Sequence, residues 1–402
     1  MEIDELLKIA IESDASDLHL KAGNYPIVRV HGVLKPLTNY PKLTPQDTLD
    51  LSGQIINDYQ KEKLENELDL DLAYSLPGFG RFRGSIFHQR GTVAIVLRVI
   101  PLEVKPIRDL LLPEVLEKIS LEQRGLVLVT GTTGSGKTTT LAAMIEHINT
   151  RRMENVITIE DPIEYVHRDK KSTISQREVG MDVTGFARGL RASLREDPDV
   201  ILVGEMRDLD TIETALLAAE TGHLVLSTVH TLDAPETINR VISVFPPHHQ
   251  RQIRFQLSSI LKAVISMRLI PRKEGEGRVP AVEVMVNTPY IQECIRDREK
   301  TILIRDAISA GVSQYGMQTF DQSVYRLYKQ GCISYDQGVR YSSSADNFKL
   351  RVMGVRSTLD VALEDMEKEM SQVERERKGK EEEEGEEEEM EEDQAKQEKG
   401  DK

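Results

Sequence analysis

The sequence predicts an α/β protein in which a small α+β domain, residues 1–102, precedes a larger domain built on a parallel sheet. In the first part, short segments alternate apolar and polar residues, as half-buried strands do. From about residue 107, continuous apolar runs (LVLVT, VITI, VILVG, LVLSTV) are separated by longer helical segments. Continuous runs indicate strands buried on both faces, which is typical of a parallel sheet covered by helices.

The elements of the first domain follow from residue spacing. IDELLKIAIE has the spacing of an amphipathic helix, and DLHLKAG and PIVRVHGVLKPL alternate like strands. Helical sequence is predicted from about Thr44 to Asn66, where Thr44 suits an N-cap and Pro45 the first helical position. Strands return as DLDLAYSL, GRFRGSIFHQ and TVAIVLRVI. Residues 103–106 are the predicted linker, and residues 107–358 the second domain.

The charge of the chain is concentrated at its C-terminus. The 402 residues carry a net charge of −15, and residues 364–402 alone hold nineteen acidic and eight basic side chains. Residues 359–402 are therefore predicted to be a charged helix that continues into a disordered acidic tail. The rest is nearly neutral, so it lacks the excess of positive charge expected of a nucleic-acid-binding protein.

Cysteine content and hydropathy favour a cytoplasmic protein. Only Cys294 and Cys332 are present, without the spacing of a zinc site or a disulfide framework. The N-terminus is interrupted by charges and does not read as a signal peptide, and no apolar stretch reaches the ~18–20 residues that span a bilayer. We therefore expect no direct membrane insertion; any membrane association would come through a partner.

The sharpest motif is GTTGSGKT, which has the spacing GxxxxGK[ST] between an apolar strand and a helix. Its glycines can turn consecutive backbone N–H groups toward phosphate oxygens, and the following helix N-terminus adds partial positive charge. The lysine reaches the β- and γ-phosphates, and the threonine hydroxyl ligates Mg²⁺. The motif predicts binding of ATP with Mg²⁺ by Gly131, Thr132, Thr133, Gly134, Ser135, Gly136, Lys137, Thr138 and Thr139.

Acidic residues follow two later strands. Glu160, Asp161 and Glu164 lie just after VITI, and Glu205 follows VILVG. In open α/β sheets the carboxyl ends of the strands form the ligand crevice. Nucleotide hydrolysis needs a held Mg²⁺ and an oriented water, so two carboxylates can divide this work. An acidic residue at a strand end is more often a helix cap or a solvated loop residue. Here the acidic residues follow the phosphate loop along the chain, which favours a catalytic role.

Two histidines bracket the strand LVLSTV. His230 follows the strand at its C-terminal end, where a side chain can sense or position the γ-phosphate. His223 lies at the opposite end, and a structural role and a nucleotide-contacting role are equally compatible with its position.

Arginines that neutralise charge on a transferred phosphoryl group often come from another domain or subunit. Two groups of arginines have a spacing that suits this role, and the sequence does not choose between them. For each group the alternative is that the arginines simply form a solvent-exposed face. They are Arg81 with Arg83, on one face of a predicted strand, and Arg188, Arg191 and Arg195, at near-helical spacing before the Glu205 strand.

Taken together, the motifs resemble the PilT/PilU retraction ATPases of type IV pili, members of the secretion-ATPase superfamily. The likeness runs from residue 1 to about 350 through the blocks SDLHL, GRFR, TIEDPIEYVH, QREVG, LREDPDVILVGEMRD, AAETGHLVLSTVHT and GMQTFDQ. It implies a PAS-like N-terminal domain joined to a RecA-like P-loop ATPase core in a homohexameric ring. It also implies an inner-membrane pilus platform protein as partner, with a paralogous retraction ATPase as a second one.

The resemblance also implies roles for the candidate residues. It makes Glu164 the general base and Glu205 the residue that holds Mg²⁺ through water. His223 and His230 match the family's histidine box. Arg81 and Arg83 lie where a neighbouring subunit's nucleotide is approached; Arg195 is a further candidate nucleotide contact.

One block departs from the family pattern. Where PilT-type proteins carry AIRNLIRE, this chain has YIQECIRD, which together with VPAVEVMVNTP and GMQTFDQSVYRLY leans toward the PilU type. The alternatives to a principal retraction motor are therefore an accessory PilU-like ATPase and a pilus assembly or type II secretion ATPase. Assembly ATPases generally carry a four-cysteine metal-binding insertion, which this sequence lacks. A nucleic-acid translocase and a scaffold without catalysis are the remaining alternatives.

Overall fold

The computed structural model describes residues 1–100, 104–275 and 277–354. The chain divides into two compact units, each assembled from two stretches of sequence. The first unit comprises Met1–Asp109 and Thr138–Met206, and the second comprises Leu110–Lys137 and Arg207–Lys402. The predicted charged helix and acidic tail, residues 359–402, lie outside the described residues, as do residues 101–103, which include the first residue of the predicted linker.

The N-terminal part of the first unit is an antiparallel sheet with three helices. The strands lie in the order β3-β2-β1-β6-β5-β4, and every neighbouring pair is antiparallel. The α+β composition predicted for this part agrees with the structure. Its elements are α1 (Ile3–Glu12), β1 (Ala15–Lys21), β2 (Ile27–Val30), β3 (Val33–Pro36), α2 (Pro45–Gly53), α3 (Asp58–Glu67), β4 (Asp69–Leu76), β5 (Gly80–Gln89) and β6 (Thr92–Ile100).

The segment predicted to be helical from about Thr44 to Asn66 contains two helices, α2 and α3. Each helix begins with its own capping box: the Thr44 side chain accepts from the Asp47 amide, and the Asn57 side chain accepts from the Gln60 amide. Asn57 satisfies N–H groups that a new helix start leaves without partners, so a second start is stable there.

The rest of the first unit contains three parallel strands in the order β10-β8-β9. All four residues of β10 are buried, as is β8 apart from its first residue. This matches the prediction from the continuous apolar runs VITI and VILVG. The elements are α5 (Lys137–Arg151, whose first residue belongs to the second unit), β8 (Asn155–Glu160), β9 (Thr173–Glu178), α6 (Phe186–Ser193) and β10 (Val200–Val203).

The second unit contains four strands in the order β13-β12-β7-β11. β7 and β11 are parallel and buried at every residue, as predicted for the apolar runs LVLVT and LVLSTV. β12, which pairs in parallel with β7, was not among the predicted strands. The antiparallel pairing of β12 with β13 was not predicted. The elements are α4 (Val115–Ser120), β7 (Gly125–Thr130), α7 (Leu209–Glu220), β11 (Leu224–Val229), α8 (Ala234–Ser243), α9 (Gln250–Ile260), β12 (Leu261–Pro271), β13 (Arg278–Val286), α10 (Pro289–Arg296), a 3₁₀ helix (Glu299–Leu303), α11 (Ile304–Ala310), α12 (Val312–Tyr315), α13 (Phe320–Lys329), α14 (Tyr335–Tyr341) and α15 (Ala345–Val352).

The mixed α/β class with parallel strands is therefore confirmed. Within the described ranges, no helix combines the length and the apolar character needed to cross a lipid bilayer.

Candidate functional site

The phosphate-loop motif forms a turn between β7 and α5. Its three glycines have positive φ angles: +140° at Gly131, +74° at Gly134 and +98° at Gly136. A Cβ atom on Gly131 would lie 2.5 Å from Ser135 Oγ and 2.6 Å from the Met267 carbonyl oxygen. Both the backbone conformation and the close approach therefore require glycine at residue 131.

The polar groups of this loop fit an anionic ligand. Lys137 is buried, and its ammonium group donates to the carbonyl oxygens of Gly131 (3.0 Å) and Thr132 (3.1 Å). Ser135 Oγ and Thr130 Oγ1 are buried with no hydrogen-bond partner among the described residues. A buried cation and unsatisfied hydroxyls beside a helix N-terminus supply the donors that a phosphate group accepts from. Thr138 and Thr139 lie in the first turn of α5, half-buried.

The acidic segment after β8 belongs to the first unit. Glu164 is exposed and follows the buried Ile163, whereas Glu160 is buried at the end of the strand. Burial raises the pKa of Glu160 above its usual range, although hydrogen bonds from Thr158 and Gln176 favour the ionised form. Of the two glutamates, only Glu164 has the solvent access needed to act on a water molecule.

Two residues missed by the sequence reasoning hold this segment in place. The hydroxyl groups of Tyr165 and Thr139 are 3.0 Å apart, which joins the Glu164 segment to the first turn of α5. The side-chain amide of Gln176 donates to the Tyr165 carbonyl oxygen (2.8 Å) and to Glu160 Oε1 (3.1 Å). Thr139, predicted to contact nucleotide, thus has a structural contact as well. Tyr165 and Gln176 lie within recognisable blocks of the sequence, but their contacts depend on folding.

Glu205 follows β10 after one glycine. The amide of Gly204 donates to the Ile159 carbonyl oxygen (2.8 Å), and a Cβ on Gly204 would lie 3.2 Å from that oxygen. A residue without a side chain therefore lets the end of β10 pack closely on β8. Glu205 is half-buried.

The two histidines lie at opposite ends of β11, as predicted. His223 precedes the strand, with Nδ1 2.9 Å from the Ala218 carbonyl oxygen and 3.3 Å from Thr221 Oγ1. These contacts tie His223 to the end of α7. His230 follows the strand and is exposed.

Among the candidate arginines, Arg81 forms a specific contact. Its Nη2 donates to Glu178 Oε2 at 2.9 Å, and the side chains are 20% and 8% exposed. The same oxygen accepts from the Ile163 amide (3.3 Å), so Glu178 links β5 to the residue before Glu164. Arg83 is exposed, two residues along β5. Glu178 is a further residue that the sequence reasoning missed, because it is 97 positions from Arg81.

The second arginine group does not form one helical face. Arg188 and Arg191 lie on α6, which ends at Ser193, so Arg195 lies beyond the helix. Arg195 is exposed and donates to the Arg191 carbonyl oxygen at 3.1 Å.

In the described part of the chain, no group of three or more histidine, cysteine, aspartate or glutamate side chains is arranged to hold a metal ion. A metal held by one threonine hydroxyl and one carboxylate through water does not need such a cluster, because Mg²⁺ retains waters and binds substrate phosphates.

Comparison with known proteins agrees with this arrangement. Residues 2–337 match the family described as type II/IV secretion system protein. PilT of Pseudomonas aeruginosa, a type IV pilus retraction ATPase, is 46% identical over 348 residues, which are 87% of this chain and 100% of PilT. The type IV pilus ATPase PilU of the same organism is 39% identical over 365 residues, 90% of this chain and 94% of PilU.

A crystal structure of the pilus retraction motor PilT with bound ADP superposes with a TM-score of 0.79. It is 46% identical and covers 86% of this chain and 98% of the PilT chain. These matches confirm the resemblance found in the sequence: the chain belongs to the type II/IV secretion system protein family and, within it, to the PilT/PilU group.

Proposed function

We propose that this chain is an ATP-hydrolysing motor, assembled as a homohexameric ring, that powers the retraction of type IV pili. The observation that carries the proposal is the phosphate loop, whose buried Lys137 and unsatisfied Ser135 hydroxyl present donors at the start of α5. The names of the relatives, and their coverage of almost the whole described chain, support the coupling of hydrolysis to retraction.

In this proposal, the residues from Gly131 to Thr139 bind the phosphates of ATP. Thr138 and Glu205 hold Mg²⁺, Glu205 through water; the metal would supply charge neutralisation at the phosphates. Glu164 accepts the proton of the attacking water, a role that its exposure permits.

We further propose that Arg81 and Arg83 approach the nucleotide of a neighbouring subunit, and that Arg195 is a nucleotide contact. In the described structure the Nη2 group of Arg81 is committed to Glu178, so phosphate would be met by the remaining guanidinium donors or would displace that carboxylate. His230 senses the γ-phosphate from the end of β11. His223 contributes by fixing the turn before β11, which its contacts with Ala218 and Thr221 support.

In architecture, residues 1–102 are proposed to be a PAS-like domain, residues 103–106 its linker, and residues 107–358 a RecA-like core with C-terminal helices. The antiparallel sheet with flanking helices and the parallel strands that follow are compatible with these assignments. Residues 359–402 are proposed to be a charged helix and a disordered acidic tail.

The proposed partners are further copies of this chain and an inner-membrane pilus platform protein, with a paralogous retraction ATPase as an additional one. The protein would work in the cytoplasm at the inner membrane without inserting into it. Nucleic acid is not a proposed partner, since the body of the chain has no excess of positive charge.

A second candidate is an accessory, PilU-like retraction ATPase. The observation that favours it is the sequence YIQECIRD on α10, in place of the AIRNLIRE expected of a principal motor. An assembly or secretion ATPase is a weaker candidate, because Cys294 and Cys332 provide no four-cysteine metal site.

Deletion of the gene separates these candidates by counting pili and measuring twitching. Loss of a principal motor leaves excess surface pili and no movement, whereas loss of an accessory motor leaves normal piliation with weakened force. Bald cells would contradict retraction and indicate assembly. Complementation with the Lys137→Ala variant is the matched control, since it should fail to restore any activity that depends on ATP.

A further inference from the structure

A basic groove lies in the second unit between α9, α10 and the 3₁₀ helix. It encloses about 450 Å³. The cationic side chains that line the basic groove are Arg251, Arg254, Arg296, Arg298 and Lys300. Among the described residues only two carboxylates, Glu293 and Asp297, line it as well, so positive charge is in excess.

The positive charge of this groove is poorly neutralised. Arg251 and Arg298 are exposed, and neither has an ion pair within residues 104–275 and 277–354. Arg254 is buried, and its guanidinium donates only to neutral acceptors in the contacts observed, among them the Ile295 carbonyl oxygen (2.8 Å) and Thr301 Oγ1 (3.2 Å). Burial and the nearby charge of Arg298 lower the pKa of Arg254. An anionic ligand would relieve this crowding of cations.

The groove also has an apolar wall. Phe255 is 48% exposed, and the Arg296 guanidinium lies 5.9 Å from its ring centroid. A ligand that combines many carboxylates with an occasional apolar side chain matches this surface better than a small inorganic anion does.

The chain itself contains such a segment. Residues 381–393, EEEEGEEEEMEED, hold eleven acidic residues, one methionine and no basic residue. The last described helix, α15, lines a second cavity through Leu350 and Arg351. Arg298 lines that second cavity and also the basic groove, so the two cavities adjoin at Arg298.

The intervening residues 355–380 can bridge tens of ångströms between residue 354 and the acidic segment, whether they are helical or extended. Twenty-six residues span roughly 39 Å if fully helical and roughly 90 Å if fully extended. We propose that the acidic segment 381–393 binds in the basic groove of its own chain and covers Phe255. The inference is independent of the proposed ATPase function.

Zero-length crosslinking with a carbodiimide, on the full-length protein, tests the proposal because it joins lysine amines to carboxylates in direct contact. We expect a mass-spectrometric link between Lys300 and a glutamate of 381–393. The link between Lys300 and Glu293, which already form an ion pair, is an internal reference. Raising the salt concentration from 50 to 500 mM should reduce the tail link, since exposed charges are then screened.

The double variant Arg251→Glu/Arg298→Glu should lower the yield of the Lys300–tail link by about fivefold, because two weak attractions become repulsions. Arg240→Glu/Arg272→Glu changes the net charge equally at exposed arginines outside the groove and should leave the yield unchanged. An even spread of tail links over all lysines, or an equal loss in both variants, overturns the proposal.

Two further measurements guard against misfolding of a variant and against binding between copies. Replacing the acidic residues of 381–393 by their amides leaves the described fold untouched, and Lys300 should then be acetylated several-fold faster relative to Lys262. Equal acetylation rates contradict docking. In a sample mixed from ¹⁵N-labelled and unlabelled chains, the link should join peptides of one label; mixed-label links would overturn the same-chain assignment.

Discussion

Glu283 should make the stability of the second unit fall as pH rises. It lies on β13 and is 5% exposed, and its Oε1 accepts from the Ala234 amide (3.0 Å) and the Ser266 hydroxyl (3.4 Å). Burial, with a smaller contribution from the charge of Asp233, raises the pKa of Glu283 to about 7 against the opposing effects of the Ala234 amide and Arg305. The folded protein therefore holds a proton on Glu283 that the unfolded chain releases near pH 4.5.

The sign and the size follow from proton linkage. Because the pKa is higher in the folded state, the stabilisation is fully present below pH 4.5 and is lost as pH rises through about 7. The gap between these two values corresponds to about 3 kcal/mol of unfolding free energy. Glu283→Gln keeps an oxygen that can accept from Ala234 but cannot ionise, so the variant should escape this loss.

Equilibrium urea unfolding of the full chain at pH 5.0, 6.0, 7.0 and 8.5 measures the effect at fixed protein concentration. The stability of Glu283→Gln minus that of the wild type should become more favourable with pH, by about 2–3 kcal/mol over this range. Glu213→Gln, at an exposed residue of α7, is the matched control and should show no such trend. A difference that stays constant from pH 5.0 to 8.5 would refute the reasoning.

Other predictions concern the loop and the acidic segment. Lys137→Ala should abolish ATP turnover in a phosphate-release assay; near-normal hydrolysis would contradict the phosphate-loop assignment. Gly131→Ala should lose binding of a fluorescent ATP analogue, because the added Cβ would meet Ser135 Oγ at 2.5 Å; unchanged affinity would show that the loop tolerates it. Glu164→Gln should bind ATP but hydrolyse it at least ~100-fold more slowly, and an equal loss of binding and turnover would make Glu164 structural. Alanine substitutions of Arg81 and Glu178, alone and together, should give a coupling energy of about 1–2 kcal/mol in urea unfolding; additive effects would indicate that the contact contributes nothing.

Much of the fold could be read from local patterns. The helix α1 buries Ile3, Leu6, Leu7 and Ala10, the spacing that an amphipathic helix requires. The buried strands were equally clear, because continuous apolar runs are expected where both faces are covered. The division between α2 and α3 was missed, since the helical pattern continues through residues 54–57 and only the N-cap at Asn57 marks the start of a second helix. Pairing of β12 with β13 was missed because it depends on contacts between strands.

The amino-acid sequence by itself determined the chemistry of the phosphate loop, because the glycines, lysine and threonines act through consecutive backbone and side-chain groups. It also determined the family, through blocks whose order is independent of folding. Only the tertiary structure decided which polar groups meet: Arg81 with Glu178, and Glu283 with the first amide of α8. Burial and long-range pairing set the electrostatics of these carboxylates, and neither property can be read from neighbouring residues in the chain.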